Sequence, residues 1–267
     1  MSSIKALINM SGRRALITGA TGALGSVIAD TFAELGASLI LVDRPESDFG
    51  KLLGSLPGAA AGNAVCVPCD LESQEDRDRL VAAVTGDDRG LDVLVNNAAF
   101  VGTSGLEGWA QPFDRQTVET WRRALEVNLT AVFDLCQQFA PTMCRSQGAA
   151  MINVASIYGH LGPDWGLYAG TSMANPAAYA ASKGGIVQLT RWLSTTLAPR
   201  IRVNSISPGG IFRNQPPAFV ERYEARTPLG RMGSEDDFRG AFAYLASDLS
   251  KYVTGQDLLV DGGWSAW

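Results

Sequence analysis

The sequence predicts an α/β protein built on one doubly wound parallel sheet. Three observations lead there. Short apolar, β-branched runs alternate with helical stretches from one end of the chain to the other. These runs lack strict polar/apolar alternation, which is the pattern of strands covered by helices on both faces. No repeat, low-complexity tract or linker divides the 267 residues, so a single domain spanning 1–267 is expected. Right-handed crossovers then wind helices onto both faces of the sheet.

Each element has its own signal. RALIT (14–18) is an apolar run that ends in a glycine turn. Residues 24–35 carry helical spacing, with Gly36 as the stop. SLILVD (38–43) and NAVCVPCD (63–70) read as the second and third strands, and Ser73 as the N-cap of a helix that begins QEDRDRL. LDVLVNNA (91–98) is the fourth strand, 117–145 a long helix, and AAMINVAS (149–156) the fifth strand. A helix over 177–197, a strand over 201–208, a helix over 235–247 and a closing strand over 256–263 complete the alternation. Two stretches break the rhythm, 157–176 and 209–234, both rich in Gly, Pro and aromatic residues. Both follow strand ends, the side on which open α/β sheets bind ligands, and loops this long act as lids or binding loops.

Composition narrows the function. Hydrophobic residues make up 46% and charged residues 18%, a globular balance. A net charge of −5 lacks the basic footprint of a nucleic-acid or anionic-membrane binder. No apolar run approaches the roughly 18 residues of a membrane span, and the N-terminus lacks a signal-peptide pattern, so a cytoplasmic location is expected. No metal site is expected either. Cys66 and Cys69 form a CxxC without a second ligand pair, His160 is the only histidine, and both thiols end an apolar run where cysteine behaves as a small hydrophobe.

The first strand runs into TGATGALG (18–25). Gly19, Gly22 and Gly25 bracket the turn, with Thr21, Ala23 and Leu24 between them. Glycines there let the backbone approach a pyrophosphate, which sits on the N–H groups of the helix N-terminus. Asp43 stands at the tip of the second strand, 18 residues beyond Gly25. A carboxylate there accepts both adenosine ribose hydroxyls and repels a 2′-phosphate, favouring NAD over NADP, although Arg44 partly offsets the repulsion. Asp70 and Leu71 end the third strand, where a carboxylate can meet the adenine. Asn97, Ala98 and Ala99 end the fourth, leaving room for the adenine ribose, while the amides of Asn96 and Asn97 can lock neighbouring strands.

Hydride exchange at an alcohol carbon requires a proton moved at the adjacent oxygen. A phenol can do this if a fixed cation lowers its ordinary pKa near 10. Tyr179 and Lys183 are spaced i, i+4 in a helical segment and share one face. Ser156 ends the preceding strand and can hold the substrate oxygen. Asn128, in the long helix, can anchor a water that relays protons toward Lys183.

In their order along the chain, TGATGALG, Asp70-Leu71, NNAA, Asn128, Ser156, Tyr179-x-x-x-Lys183 and Pro208-Gly209 resemble the classical short-chain dehydrogenase/reductases, over about residues 11–263. The resemblance implies a Rossmann fold and catalytic roles for Asn128, Ser156, Tyr179 and Lys183. It also implies cofactor contacts at Tyr179, Lys183, Pro208, Gly209 and Ile211, with Lys183 at the nicotinamide ribose. It further implies a homo-oligomer, tetramer or dimer, with the last helices and closing strand at an interface. There are departures. Ala23 replaces the middle glycine and Gly22 precedes it, a spacing closer to the extended sugar-nucleotide branch, whose C-terminal domain this chain is too short to carry. Arg213 stands where the family often has threonine. The Ser156–Tyr179 gap is roughly ten residues longer than usual.

The expected activity is hydride exchange between NAD(H) and a secondary alcohol or ketone carbon of a small polar molecule. Arg213, Arg222, Arg226 and Arg231 suit carboxylate or phosphate groups, or pair with Glu221 and Glu224 on a helix surface. Trp165, Phe212, Phe219 and Tyr223 can stack on a ring, whereas Tyr158 and Tyr168, lacking a lysine at i+4, read as substrate-wall or packing residues. His160 reads equally as a substrate contact or a surface residue. GTSMANPAAYAASKGG is similar to members linked to bacterial surface-sugar biosynthesis, implying a sugar, acidic or phosphorylated. A 3-oxoacyl thioester reductase and an NAD-retaining sugar epimerase or dehydratase are the alternatives. A non-catalytic dinucleotide sensor is a third, opposed by the intact Tyr179/Lys183 pair.

Overall fold

Alternate residues of each central strand face opposite layers. Leu16, Ile40, Leu94, Met151 and Val203 pack into one apolar core, and Ile17, Leu41, Val95, Ile152 and Ile206 into the other. This period of two puts both strand faces out of water and makes the strands apolar throughout. The computed structural model describes residues 2–86, 89–102 and 104–267. The seven strands are β1 (Arg14–Thr18), β2 (Ser38–Asp43), β3 (Val65–Pro68), β4 (Val93–Asn96), β5 (Ala149–Val154), β6 (Ile201–Pro208) and β7 (Asp257–Val260). All pair in parallel, in the order β3-β2-β1-β4-β5-β6-β7. Strand order reverses at β1, where Leu16 faces Ile40 on one side and Leu94 on the other. The crevice at that reversal is the natural ligand site of such a sheet.

The helices follow from local chemistry. α1 (Ile4–Ile8) is capped by Ser3, and α2 (Ala23–Glu34) starts at Gly22 without a side-chain cap. α3 (Phe49–Ser55) is capped by Asp48, and α4 (Gly58–Asn63) leads into β3. Ser73 caps α5 (Gln74–Thr85), accepting from the Asp76 amide as the sequence suggested. Thr117 caps α6 (Val118–Leu125), which passes through a π-helical turn (Glu126–Thr130) into α7 (Ala131–Met143). α8 (Trp165–Tyr168) is one turn, α9 (Ala177–Leu197) the longest helix, and α10 (Pro217–Arg226) and α11 (Arg239–Ala246) close the chain with β7. α5, α7 and α9 cover one face of the sheet; α2 and α11 cover the other.

Several boundaries differ from the sequence reading. The helix expected over 117–145 is broken by the π turn, which re-aims Asn128; such turns are common at functional sites. The third strand begins at Val65 because α4 takes the residues before it. The stretch 209–234 is not irregular, since Pro216 opens α10 inside it. The helix expected over 235–247 starts as a 3-10 turn under a Ser234/Asp237 capping box. α1, α3 and α4 were not foreseen, being too short to show a helical period. No helix among the described residues is long and apolar enough to cross a membrane.

Candidate active site

The C-terminal ends of β1, β2, β4, β5 and β6 open into a cleft of about 1170 Å³. Every residue that the sequence assigned to cofactor or catalysis lines it, except Asn128.

The turn from β1 to α2 is tight for a steric reason. Gly19 adopts φ +65°, and a Cβ on it would lie 2.9 Å from the Ala98 Cα. A Cβ on Gly25 would lie 2.0 Å from the Gly19 carbonyl oxygen, so only glycine fits. Gly22 is less constrained: a Cβ there meets only the Gly19 oxygen, at 3.2 Å. The two essential glycines are therefore the outer ones, which explains how Ala23 can stand between them. With no side chain capping α2, its first-turn N–H groups stay available to an anion. This geometry fits the pyrophosphate of a dinucleotide.

Asp43 does more than the sequence suggested. Its carboxylate accepts from the Thr21 N–H (2.8 Å) and hydroxyl (2.7 Å), from the Arg44 N–H (2.9 Å) and from the Ser47 hydroxyl (3.1 Å). It thereby clamps the glycine turn as well as facing the cleft. Arg44 pairs with Glu46 at 3.1 Å. The Asp70-Leu71 loop is held from behind by the buried Arg77, which donates to the Leu71 carbonyl (2.5 Å) and to Asp134 (2.6 Å). Asn96 and Asn97 split their duties. Asn96 points away from the cleft and donates to Asn153 of β5 (2.9 Å), while Asn97 donates to the Thr18 and Gly19 carbonyls (2.9 and 3.1 Å).

Tyr179 and Lys183 lie on the first turns of α9, where the helix packs against β5 and β6. The Lys183 ammonium is 3% exposed and donates to the Val154 carbonyl at 2.7 Å. It sits 5.7 Å from the centre of the Tyr179 ring. Burial without a carboxylate partner pulls the Lys183 pKa down to about 8. Burial pushes the Tyr179 phenol up, the Ser156 hydroxyl pulls it down, Tyr158 raises it and the Arg213 charge lowers it, with burial the largest influence. Asn128 is 1% exposed and faces away from the cleft. Its amide accepts from the Phe100 N–H (2.7 Å) and donates to the Phe100 carbonyl (3.0 Å) and Ser182 hydroxyl (3.2 Å). Ser182 donates in turn to the Tyr179 carbonyl, at 2.8 Å. The side chain of Asn128 therefore joins the Phe100 loop to α9.

The lid arginines are used inside the protein. Arg222 donates to the carbonyls of Leu167 and Ala169, Arg226 pairs with Asp164, and Arg231 grips Asp237. Arg213 alone lines the cleft, and it pairs with Glu235 at 2.9 Å. Trp165, Tyr168, Phe219, Tyr223 and Trp264 form a continuous aromatic stack that joins the insert to α10, while Phe212 points outward. His160 is tied to Asp257 of β7 at 2.7 Å and does not line the cleft. The sequence reading missed a third lining segment, Phe100 to Ala110, and the residues Met173, Asn175 and Met232. None carries a periodic signal, because all sit in irregular chain. Cys69 is buried and its thiol pushed up to about 12, so the CxxC is packing. Among the described residues no cluster suited to a metal ion is found.

Comparison with known proteins agrees with this geometry. The family profile described as enoyl-(acyl carrier protein) reductase matches residues 19–265. The chain is 31% identical to the 2,5-dichloro-2,5-cyclohexadiene-1,4-diol dehydrogenase LinX of Sphingobium indicum, covering 96% of this chain and 97% of that one. A short-chain dehydrogenase from Leptospira borgpetersenii with bound NAD+ superposes with a TM-score of 0.84 at 30% identity, over 99% of this chain and 96% of that one. A gluconate 5-dehydrogenase from Burkholderia cenocepacia in complex with NADP and tartrate gives 0.85 at 28% identity, over 99% and 100%.

The glycine turn makes a direct prediction. Gly25→Ala should lower the melting temperature by several degrees or prevent folding, because its methyl has no space. Gly22→Ala should melt within about 2 °C of the parent, an unfolding shift corresponding to roughly 0.5 kcal/mol. Thermal unfolding of the two variants checks the order.

Proposed function

This chain belongs to the short-chain dehydrogenase/reductase family, and from that membership we infer an NAD(P)-dependent oxidoreductase acting at a CH–OH carbon, with Tyr179 as its acid/base. One observation carries the assignment: the Ser156 hydroxyl, the Tyr179 phenol and the buried Lys183 ammonium converge on one wall of a cleft whose other end is the glycine turn. The nicotinamide ring, when bound, supplies or accepts the hydride. Ser156 and Tyr179 offer two adjacent hydroxyls to the substrate oxygen, so one can hold it while the other moves its proton. Lys183 spends one N–H on Val154 and keeps two donors, which suits the nicotinamide ribose and favours the phenolate as it forms. Asn128 is a positioning residue that sets α9 through Ser182.

NAD is the proposed cofactor. The support is Asp43, a carboxylate at the tip of β2 that lines the cleft and would repel a 2′-phosphate, with the neighbouring Arg44 already paired to Glu46. The two neighbours described above carry NAD+ and NADP respectively, so the preference for NAD rests on Asp43. The proposed substrate is a small polar alcohol, a sugar or sugar derivative, enclosed by the insert 157–176 and the lid 209–234. A cytoplasmic location is in keeping with four free cysteines. We also propose a homotetramer. Trp121, Phe133 and Trp192 leave apolar surface on α6, α7 and α9, and Tyr244 and Leu259 leave it on α11 and β7, giving two separate faces to cover.

Four measurements test these readings. Tyr179→Phe should cut kcat by about 10²–10⁴. Because burial holds the Tyr179 phenol above its ordinary value, alcohol oxidation, which needs the phenolate, should climb with pH through 7 to 9. Carbonyl reduction, which needs the phenol, should not climb over that range, and an oxidation profile flat in pH would refute the assignment. Asp43→Ala should lower the ratio of kcat/KM for NAD over NADP at least about tenfold, the range of a lost charge repulsion; a wild type that prefers NADP would sink the cofactor reading. Light scattering should give four times the 28.3 kDa chain mass, and a monomer at micromolar concentration would rule the tetramer out.

A further inference from the structure

At the substrate end of the cleft, the insert builds a polar cluster in an otherwise apolar and aromatic wall. The Tyr158 and Tyr168 hydroxyls lie 2.6 Å apart and share one hydrogen bond. Beside them is Asn175, which lines the same cleft, is 6% exposed, and whose Nδ2 and Oδ1 find no hydrogen-bond partner among the described residues. Its amide lies close enough to act on both phenols, against the upward push that burial gives them, yet has hydrogen-bond geometry to neither. A buried amide with neither donor nor acceptor used is costly and rare. Tyr158, Asn175 and Tyr179 line the same cleft, and Tyr158 pushes the Tyr179 phenol up.

We propose that Asn175, with the Tyr158–Tyr168 hydroxyl pair, is a specificity subsite for a second hydroxyl of a neutral ring whose first hydroxyl is held at Tyr179. The proposal rests on the dehydrogenase reading of the cleft and adds the substrate class to it. A hydroxyl is both donor and acceptor, as the subsite requires: the amide presents one of each, and the phenol pair has one O–H and lone pairs left over. A carboxylate or phosphate only accepts at neutral pH, leaving Oδ1 unanswered. None of the lid arginines stands ready for one, since Arg222, Arg226 and Arg231 are bound within the protein and Arg213 is paired with Glu235. The rest of that wall, including Met173, Phe219 and Met232, suits the apolar edge of a ring. An open-chain acid would use neither feature. The neutral cyclic diol or polyol is the class that uses both.

The test compares cyclohexanol, the cyclohexane-1,2-, 1,3- and 1,4-diols, and 4-hydroxycyclohexanecarboxylate, using the full chain with NAD. At least one diol should exceed cyclohexanol by tenfold or more in kcat/KM, since a site built to bond a hydroxyl discriminates against its absence. Asn175→Leu, close in shape and without the amide, should bring that ratio to within about threefold of one. Its melting temperature should hold or rise by about 2–4 °C, because an unpaired polar group is removed. Tyr168→Phe should reduce the same ratio and carries the test if Asn175→Leu fails to fold. Calorimetric titration of the preferred diol into the NADH-bound protein gives a second readout: binding should weaken tenfold or more in the same variants. The subsite is overturned if cyclohexanol equals every diol, if the diol preference survives both substitutions, or if the carboxylate is the best substrate. If no alcohol is turned over but diol binding still depends on Asn175, the subsite stands and the dehydrogenase reading falls.

Discussion

Thr18 and Asn97 hold the molecule open where it must be open. Where β1 and β4 part, the Thr18 hydroxyl accepts from the Asn97 and Ala98 amides at 3.0 and 3.1 Å. The Asn97 side chain donates back to the Thr18 and Gly19 carbonyls at 2.9 and 3.1 Å. Two strands that can no longer bond to each other are thus bonded through side chains. The glycine turn rests on this bracket: Gly19 approaches Ala98 too closely for any other residue. With the turn fixed, α2 presents its uncapped end and Asp43 locks it from the far side through Thr21.

A second constraint sets the chemistry. A lysine that is almost fully buried needs a partner, and here it is a main-chain carbonyl, Val154, two residues before Ser156. That bond ties α9 to the end of β5 and so sets Tyr179 and Ser156 side by side. On the other flank, the π turn frees Asn128 from helical regularity and lets it bridge the Phe100 loop to Ser182 and hence to the Tyr179 carbonyl. Tyr179 is therefore positioned from both sides, by Lys183 within the cleft and by Asn128 and Ser182 behind it. Desolvation raises its phenol, and the Arg213 charge and the Ser156 hydroxyl work against that rise.

The insert and the lid act as one wall. Arg222 and Arg226 bind the insert from α10, and the aromatic stack runs from Trp165 through Tyr223 to Trp264 near the C-terminus. The arginines that read on paper as ligands for an anion are the bolts of this assembly. What this wall turns to the cleft is largely aromatic, thioether and neutral polar, with Arg213 paired to Glu235 beside it.

The strands, the glycine turn, Asp43, the Tyr179/Lys183 pair and Ser156 were all legible from the sequence, because each depends on local spacing: period two in the strands, period 3.6 in α9, and glycine where backbone must pass close to backbone. What stayed hidden depends on partners far along the chain. Whether Arg226 meets a substrate or Asp164, whether Asn128 faces the cleft or Phe100, and whether Asn175 is satisfied or orphaned are questions of three-dimensional pairing between segments with no common period. Hydrogen bonds and ion pairs are short-ranged and directional, so the identity of a polar residue does not reveal its partner. Apolar burial needs only the right face, which is why the sequence alone determined the sheet and its helices while the tertiary structure decided how each polar side chain was used.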